Sequence, residues 1–174
     1  MLKNKIAIIT GASRGIGKSI ALAFARNGAS LVITCLQNED SLDAVKEEAE
    51  LLGVRVISLV GDVASNDFCD KVVSQSLETF GTVDILVNCA GTITRSVTEE
   101  MSNEEWHRVI DVNLHSALYL SRNVLPIMRE NEYGKIINIT SQMAHMPHPS
   151  ASPSYEVSKS GVIALTRHLA LEYA

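Results

Sequence analysis

The chain has 174 residues, of which 46% are apolar and 20% are charged, and its formal net charge at pH 7 is −5. This length and composition predict one folded domain over residues 1–174, and they exclude an intrinsically disordered chain. The acidic balance argues against nucleic acid as a partner. No apolar run approaches the ~20 residues of a membrane span, so we expect no membrane partner.

The three cysteines, Cys35, Cys69 and Cys89, are too widely spaced to form a CxxC or CxxH pair. This spacing predicts no metal site. The apolar run near the N-terminus is too short for the core of a secretory signal. We therefore expect reduced thiols and a cytoplasmic location.

Short apolar runs alternate with helical stretches along the whole chain. This rhythm is typical of βαβ units, and it predicts an α/β fold with a doubly wound parallel sheet, the Rossmann fold. Such sheets bind ligands at the carboxyl ends of their strands, so candidate site residues are sought there. The predicted strands are residues 6–10, 31–34, 54–60, 83–87 and 136–140, and the predicted helices are 15–27, 40–52, 65–80, 102–131 and one from 154.

A glycine-rich turn, Thr10–Gly17, follows the first strand with the sequence TGASRGIG. Gly11 permits a tight turn, Gly15 lets the backbone approach a pyrophosphate, and Gly17 allows close packing of helix on strand. The N-terminus of the next helix would supply free N–H groups to a phosphate. The alternative is an ordinary strand–helix turn that happens to be rich in glycine.

The end of the second strand bears on the choice of dinucleotide. A carboxylate there would bind the ribose 2′-hydroxyl of NAD, but residues 34–37 contain no acid. Glu39 and Asp40 come late and suit the start of a helix. Arg14 lies within the glycine turn, where it could meet a 2′-phosphate, although it could also be a solvated loop residue. The pattern favours NADP(H) and leaves NAD(H) possible.

Two further strand ends carry candidate residues. Asp62, followed by Val63, could accept a hydrogen bond from an adenine amino group, or it could cap the next helix. After the fourth strand, the small residues of the segment 88–91 would let the backbone lie against a ribose or nicotinamide. Within that segment Cys89 is interpreted as a small buried hydrophobe with no redox role.

Ser141 follows the fifth strand, and Tyr155 and Lys159 follow it four residues apart. On a helix these two side chains share one face, and a nearby ammonium lowers the pKa of a tyrosine toward neutral pH. Tyr155 is therefore a plausible general acid or base.

Taken together, these motifs resemble those of the short-chain dehydrogenase/reductase family, and they follow the family's order along the chain. The glycine turn TGASRGIG and the region around VSKSG are most similar to those of 3-oxoacyl-[acyl-carrier-protein] reductases and of their sugar and polyol dehydrogenase relatives. The matching residues are Thr10, Gly11, Gly15, Gly17, Asp62, Val63, Asn88, Ala90, Gly91, Asn113, Ser141, Tyr155 and Lys159.

The resemblance implies a role for each of these residues. Tyr155 would exchange a proton with the substrate oxygen, Ser141 would hydrogen-bond that oxygen, and Lys159 would hold the nicotinamide ribose. Asn113 would position a water that relays protons to Lys159, with a kink in the long helix; the alternative is a polar residue that faces a partner subunit. The implied cofactor-binding residues are Gly11, Ser13, Arg14, Gly15, Ile16, Gly17, Asp62, Val63, Asn88, Ala90, Gly91, Tyr155 and Lys159, with no metal ligand.

The expected activity is hydride transfer between NADP(H) and a carbonyl or secondary alcohol. A 3-oxoacyl thioester is the first candidate substrate, with a sugar, polyol or small ketone as the alternative. Family members normally continue for about another third of their length, so we expect an incomplete chain that lacks a substrate lobe and leaves strand five as an exposed edge. A cofactor-binding fragment without catalysis is then a further alternative.

A homotetramer or homodimer is expected, because family members pair through the long helix and the last helix. Apolar side chains on those two helices would otherwise form an exposed patch. The side chains in question are Leu114, Leu118, Leu165 and Leu169.

Overall fold

The computed structural model describes residues 1–173. Its strands are β1 (Ile6–Ile9), β2 (Ser30–Cys35), β3 (Val56–Val60), β4 (Ile85–Asn88) and β5 (Lys135–Asn138). Its α-helices are α1 (Gly15–Arg26), α2 (Glu39–Glu50), α3 (Asn66–Phe80), α4 (Asn103–Ile110), α5 (Ser116–Glu130) and α6 (Pro153–Glu172). A π-helical segment (Asp111–His115) joins α4 to α5, and a short 3-10 turn (Gln142–Ala144) precedes α6.

The five strands form one parallel sheet in the order β3-β2-β1-β4-β5. In register, Ile8 of β1 lies between Val32 of β2 and Leu86 of β4. The chain proceeds outward from β1 to β3 and then crosses back to β4, so the topological switch point lies between β1 and β4. This is the predicted doubly wound sheet, and its switch point is where such sheets bind ligands.

The helices cover the two faces of the sheet and create two apolar layers. One layer packs Ala7 and Ile9 of β1 against α1 and α2. The other packs Ile8 of the same strand against α3 and α5. Successive side chains of a strand point to opposite faces, so the continuous apolar run of β1 supplies both layers.

The helices begin and end within one or two residues of the predicted positions. Gly28 and Gly81 adopt φ of +90° and +79° just beyond α1 and α3, a conformation that costs little only for glycine. Ser65 caps α3 by accepting a hydrogen bond from the Phe68 amide. The alternative interpretation of Asp62 as that cap is therefore wrong.

The helix predicted over residues 102–131 is interrupted at its centre. Residues 111–115 are π-helical, and Asn113 lies within this segment with only 3% of its surface exposed. A π-helical turn inside an α-helix commonly marks a functional site. Because Asn113 is buried within its own chain, the alternative in which it faces a partner subunit is wrong.

The start of that helix forms only half of a capping box. Ser102 accepts a hydrogen bond from the Glu105 amide at 3.1 Å. The Glu105 carboxylate accepts instead from the Ser96 hydroxyl at 2.7 Å, away from the cap. The hydrogen bond from Ser96 is the main reason that the pKa of the Glu105 carboxyl is lowered. Glu105 thus ties a neighbouring loop to α4.

β5 lies at the edge of the sheet, as expected, and Ile137 on it is 42% exposed. The four leucines of the predicted patch differ in their surroundings. Leu118 is 38% exposed, but Leu114 is half-buried and lies 2.8 Å from where a Cβ on Gly161 of α6 would be. Leu165 and Leu169 are half-buried. Of the helices within residues 1–173, none is both long and apolar enough to cross a bilayer.

Candidate active site

A cleft of about 690 Å³ opens at the carboxyl ends of the strands around the switch point. Its walls come from the turns that follow β1, β2, β3 and β4, and from the first turns of α6. Most of the site residues predicted from the sequence line it, which brings together positions up to 148 residues apart in the chain. Those that line the cleft are Gly11, Ser13, Arg14, Gly15, Ile16, Gly17, Asp62, Val63, Ala90, Gly91, Tyr155 and Lys159.

The turn after β1 packs closely against the turn after β4. Gly11 has a φ of +67°, and a Cβ on it would lie 2.9 Å from the Cα of Ala90. Thr10 holds the two turns together, because its Oγ1 accepts hydrogen bonds from the amides of Cys89 and Ala90 at 3.0 and 2.9 Å. Glycine is thus required at position 11 by both conformation and space.

The remaining glycines shape the floor of the cleft at the start of α1. Gly17 packs directly on the carbonyl of Gly11, with no room for a side chain. Gly15 has a φ of +56° and no atom within 4 Å of a Cβ position, so its backbone faces open space. The first turn of α1 contains no acidic residue. Its amide groups and positive dipole end are therefore available to an anion.

Arg14 occupies the N-cap position of α1 in an extended conformation, and its side chain is exposed on the cleft wall. Residues 34–38, at the end of β2, line the same cleft and contain no carboxylate. Glu39 and Asp40 lie in the first turn of α2, as interpreted from the sequence. An exposed guanidinium and a neutral strand end therefore line the same cleft.

Asp62 is held by two partners at the wall nearest α4. Its Oδ1 accepts from the Ala64 amide at 2.9 Å, and its Oδ2 forms an ion pair with Arg108. Arg108 was missed by the sequence reasoning because it lies 46 residues from Asp62 and belongs to no motif. Its position on the same cleft wall becomes evident only when α4 is packed.

Asn88 lies outside the cleft lining. It is 7% exposed, and its Nδ2 donates to Asn138 Oδ1 at 2.8 Å. This bond joins the ends of β4 and β5, so the side chain fixes the spacing of two strands that carry site residues.

Lys159 is buried at the bottom of the cleft, with 5% of its surface exposed. Its Nζ donates to the Ile139 carbonyl at 2.8 Å, and burial lowers its pKa. An ammonium has three N–H groups, so two remain for a ligand. Tyr155 lies one turn earlier on α6 and lines the same cleft.

Ser141 is brought beside α6 by hydrogen bonds on either side of it. Thr140 Oγ1 donates to the Lys159 carbonyl at 3.1 Å, and the Ala144 carbonyl accepts from Ser160 at 2.9 Å. Ser141 itself begins the 3-10 turn, where its Oγ accepts from the Met143 amide at 3.2 Å. A hydroxyl that accepts this bond keeps its own proton available to donate.

The Asn113 side chain bonds to the loop that follows β4 and to α6. Its Oδ1 accepts from the Thr92 amide at 2.8 Å, and its Nδ2 donates to the Thr92 carbonyl and to Ser158 Oγ. A Cβ on Gly91 would lie 3.4 Å from Asn113 Oδ1 and 3.6 Å from Lys159 Nζ. The two polar groups therefore converge on one point of the backbone.

Alternate residues of the loop 91–97 anchor it to the helices. Besides Thr92, Thr94 Oγ1 donates to Ser152 Oγ at 2.8 Å, and Ser96 bonds to Glu105. Ser152 is the N-cap of α6 and accepts from the Tyr155 amide. The sequence offered one signal of this arrangement, the alternation of hydroxyl residues at 92, 94 and 96, but no sign of their partners.

The three cysteine thiols are poorly suited to redox chemistry. Burial raises the pKa of each, and it raises that of Cys69 to about 12. Since the thiolate is the reactive form, each is less reactive than a free cysteine. In the described residues, no group of three or more His, Cys, Asp or Glu side chains could hold a metal ion.

The family model of the short chain dehydrogenases matches residues 5–174. The chain belongs to the short-chain dehydrogenase/reductase family. Membership in this family implies oxidoreductase activity with a nicotinamide cofactor.

Curated family members cover nearly the whole chain. A 3-oxoacyl-[acyl-carrier-protein] reductase of Staphylococcus epidermidis is 38% identical over 98% of this chain and 70% of its own length. A reductase of the same name from Synechocystis is 37% identical over 99% and 70%. A (2S)-[(R)-hydroxy(phenyl)methyl]succinyl-CoA dehydrogenase subunit of Thauera aromatica is 36% identical over 98% and 68%.

A solved structure supports the fold. That of a candidate short-chain alcohol dehydrogenase from Sinorhizobium meliloti superposes with a TM-score of 0.93 and 34% identity, over 99% of this chain and 68% of its own. The chain therefore spans about 70% of the length of the family members it matches.

Proposed function

We propose that this protein transfers a hydride between NADP(H) and a carbonyl or secondary alcohol. The observation that carries the proposal is the meeting of Tyr155 and Lys159 with the glycine turn 10–17 in one cleft. A helix N-terminus suited to phosphate and a proton-transferring pair thus face the same space.

The residues present fit a dinucleotide. The packing of Gly11 on Ala90 and of Gly17 on Gly11 leaves the backbone bare beside α1, where a pyrophosphate can approach the amides. Asp62 would accept a hydrogen bond from the adenine amino group, and Ala90 and Gly91 would lie against the ribose and nicotinamide. When bound, the reduced nicotinamide supplies the hydride.

NADP(H) is favoured over NAD(H) by the charge around the expected ribose site. Arg14 offers a guanidinium that can pair bidentately with a phosphate, and residues 34–38 of the same cleft carry no carboxylate to bind a 2′-hydroxyl.

Proton transfer is assigned to Tyr155, with Ser141 donating a hydrogen bond to the substrate oxygen. The buried ammonium of Lys159 lies one turn further along α6 and lines the same cleft as Tyr155. It also has two N–H groups left for the nicotinamide ribose. These roles together stabilise the charge that develops on the oxygen.

Asn113 is proposed to support this pair in two ways. Its amide holds the loop that carries Gly91, and its Oδ1 keeps one lone pair that a water can occupy near Lys159 Nζ. Such a water would return protons to Lys159 from solvent.

A 3-oxoacyl thioester is the first substrate class to test, because two of the family members above are named for it. A sugar, polyol or small ketone is the second. We further propose one domain, a homodimer or homotetramer, and a cytoplasmic location. A cofactor-binding role without catalysis is disfavoured by the presence of Ser141, Tyr155 and Lys159 together.

The decisive experiment follows NADPH consumption with a panel of 3-oxoacyl thioesters, sugars and small ketones. Wild type should turn over at least one class, and Tyr155→Phe should lose about a hundredfold or more in kcat, the scale of general acid–base catalysis. Tyr119→Phe, on α5 outside the cleft lining, is the matched control and should keep wild-type activity. Equal activity of Tyr155→Phe and wild type would refute the mechanism.

A further inference from the structure

We propose that Arg108 is a positioning residue that holds the Asp62 carboxylate for recognition of the adenine amino group. This inference rests on the proposed function, since it concerns the adenine half of the same cleft. It assigns a role in cofactor recognition to α4, a helix outside the glycine turn.

One anchor is not enough to orient the Asp62 carboxylate. The hydrogen bond from the Ala64 amide fixes Oδ1 within the turn after β3. The carboxyl group can still rotate about the axis through that bond. The ion pair between Arg108 Nη1 and Oδ2 supplies a second fixed point from another element, and the two held oxygens together with Cβ define the carboxylate plane.

The ion pair leaves acceptor capacity directed toward the cleft. A carboxylate offers about four lone-pair sites, and its two protein partners use two of them. The Asp62 side chain is 36% exposed and lines the cleft. An adenine amino group can therefore donate to Asp62 without displacing Arg108.

Arg108 also changes the charge of the cleft wall. A lone carboxylate on the cleft wall would repel the phosphates of a dinucleotide. Arg108 neutralises it locally, and its own side chain is 41% exposed on the same wall. Val112, one turn further along the helix, lines the cleft as well, so α4 and the π-helical segment present one continuous wall.

The test measures equilibrium binding of three ligands to the full chain. NADPH contains both halves, adenosine 2′,5′-bisphosphate only the adenine half, and reduced nicotinamide mononucleotide only the nicotinamide half. Arg108→Gln should weaken the first two by about five- to thirtyfold, the scale of one charge-assisted hydrogen bond. Binding of the mononucleotide should stay within about twofold. Arg122→Gln on α5, which contacts Asn66 instead, controls for net charge.

Two further comparisons separate positioning from simpler effects. Arg108→Lys should restore much of the lost affinity, because it retains a cation beside Oδ2. In an Asp62→Asn background, Arg108→Gln should have little further effect on NADPH binding, whereas a direct contact between Arg108 and a phosphate would leave the loss unchanged. Thermal unfolding of each variant checks that the fold is kept.

The outcomes distinguish this inference from the function on which it rests. If wild type binds NADPH and Arg108→Gln binds it equally well, the role of Arg108 is refuted and the proposed function stands. If Arg108→Gln weakens all three ligands alike, Arg108 is structural and the inference is overturned. If wild type binds none of the three ligands, the proposed function and the inference both fall.

Discussion

The Nδ2 of Asn113 donates to Ser158 Oγ at 3.0 Å, across 45 residues of sequence. Ser158 in turn donates to the Tyr155 carbonyl at 2.7 Å. The π-helical segment is thus connected to the turn of α6 that carries both Tyr155 and Lys159. Movement of Asn113 would disturb the loop 91–97 and this turn of α6 together.

Asn113→Ala should destabilise the protein by about 1–3 kcal/mol, because it removes a buried side chain that bonds the half-buried amide and carbonyl of Thr92. Activity should fall as well, since Gly91 is no longer held beside Lys159. Urea unfolding and steady-state kinetics measure the two effects. Asn123→Ala, which removes an exposed hydrogen bond to Asp70, should cost less than about 1 kcal/mol. Equal losses in the two variants would contradict this account of Asn113.

Gly11→Ala should be among the most damaging single changes in the cleft. Its positive φ strains any other residue by about 1–2 kcal/mol, and its Cβ would meet Ala90 at 2.9 Å. Gly53→Ala is the matched control, with a φ of +87° and no atom within 4 Å of a Cβ. It should show the conformational cost alone. Unfolding midpoints that drop by the same amount would mean that the close approach to Ala90 is unimportant.

Much of the fold was predictable from local sequence signals. The apolar runs of β1 and β4, the glycines after α1 and α3, and the serine cap of α4 each act within a few residues. They therefore predict elements to within one or two positions. The glycine turn was predictable for the same reason, since its geometry depends on its own residues.

What could not be predicted depends on packing between distant segments. Glu105 lies three residues after Ser102, the spacing of a capping box. Its carboxylate nevertheless accepts a hydrogen bond from Ser96 on the neighbouring loop. The partners of Asp62 and Asn113 lie 46 and 45 residues away on other elements. Such pairs follow no periodicity, so only the assembled fold reveals them.

Lys159 should make stability depend on pH in a defined direction. Burial lowers its pKa in the folded state below the ordinary value of 10.5, so the unfolded chain binds more protons between those two values. Stability contributed by this group therefore rises with pH across that window. The stability of wild type relative to Lys159→Met should increase from neutral pH toward pH about 10. Parallel unfolding midpoints of the two proteins across this range would contradict a buried, depressed lysine.

Arg14→Gln should reduce the preference for NADPH over NADH. It removes the guanidinium proposed to pair with the 2′-phosphate, and the affinity for NADPH should fall about tenfold or more while that for NADH changes little. Arg129→Gln, at the end of α5 outside the cleft, serves as the charge-matched control. A parallel loss for both dinucleotides would assign Arg14 to the pyrophosphate instead.

The most direct test of the account is the dissociation constant of NADPH for this chain, measured by calorimetric titration beside NADH. We expect saturable binding of one NADPH per chain, tighter than that of NADH. Gly15→Asp should abolish it, because it would place a carboxylate in the open space above the start of α1. No binding of either dinucleotide, or binding unaffected by Gly15→Asp, would contradict the assignment of this cleft to the cofactor.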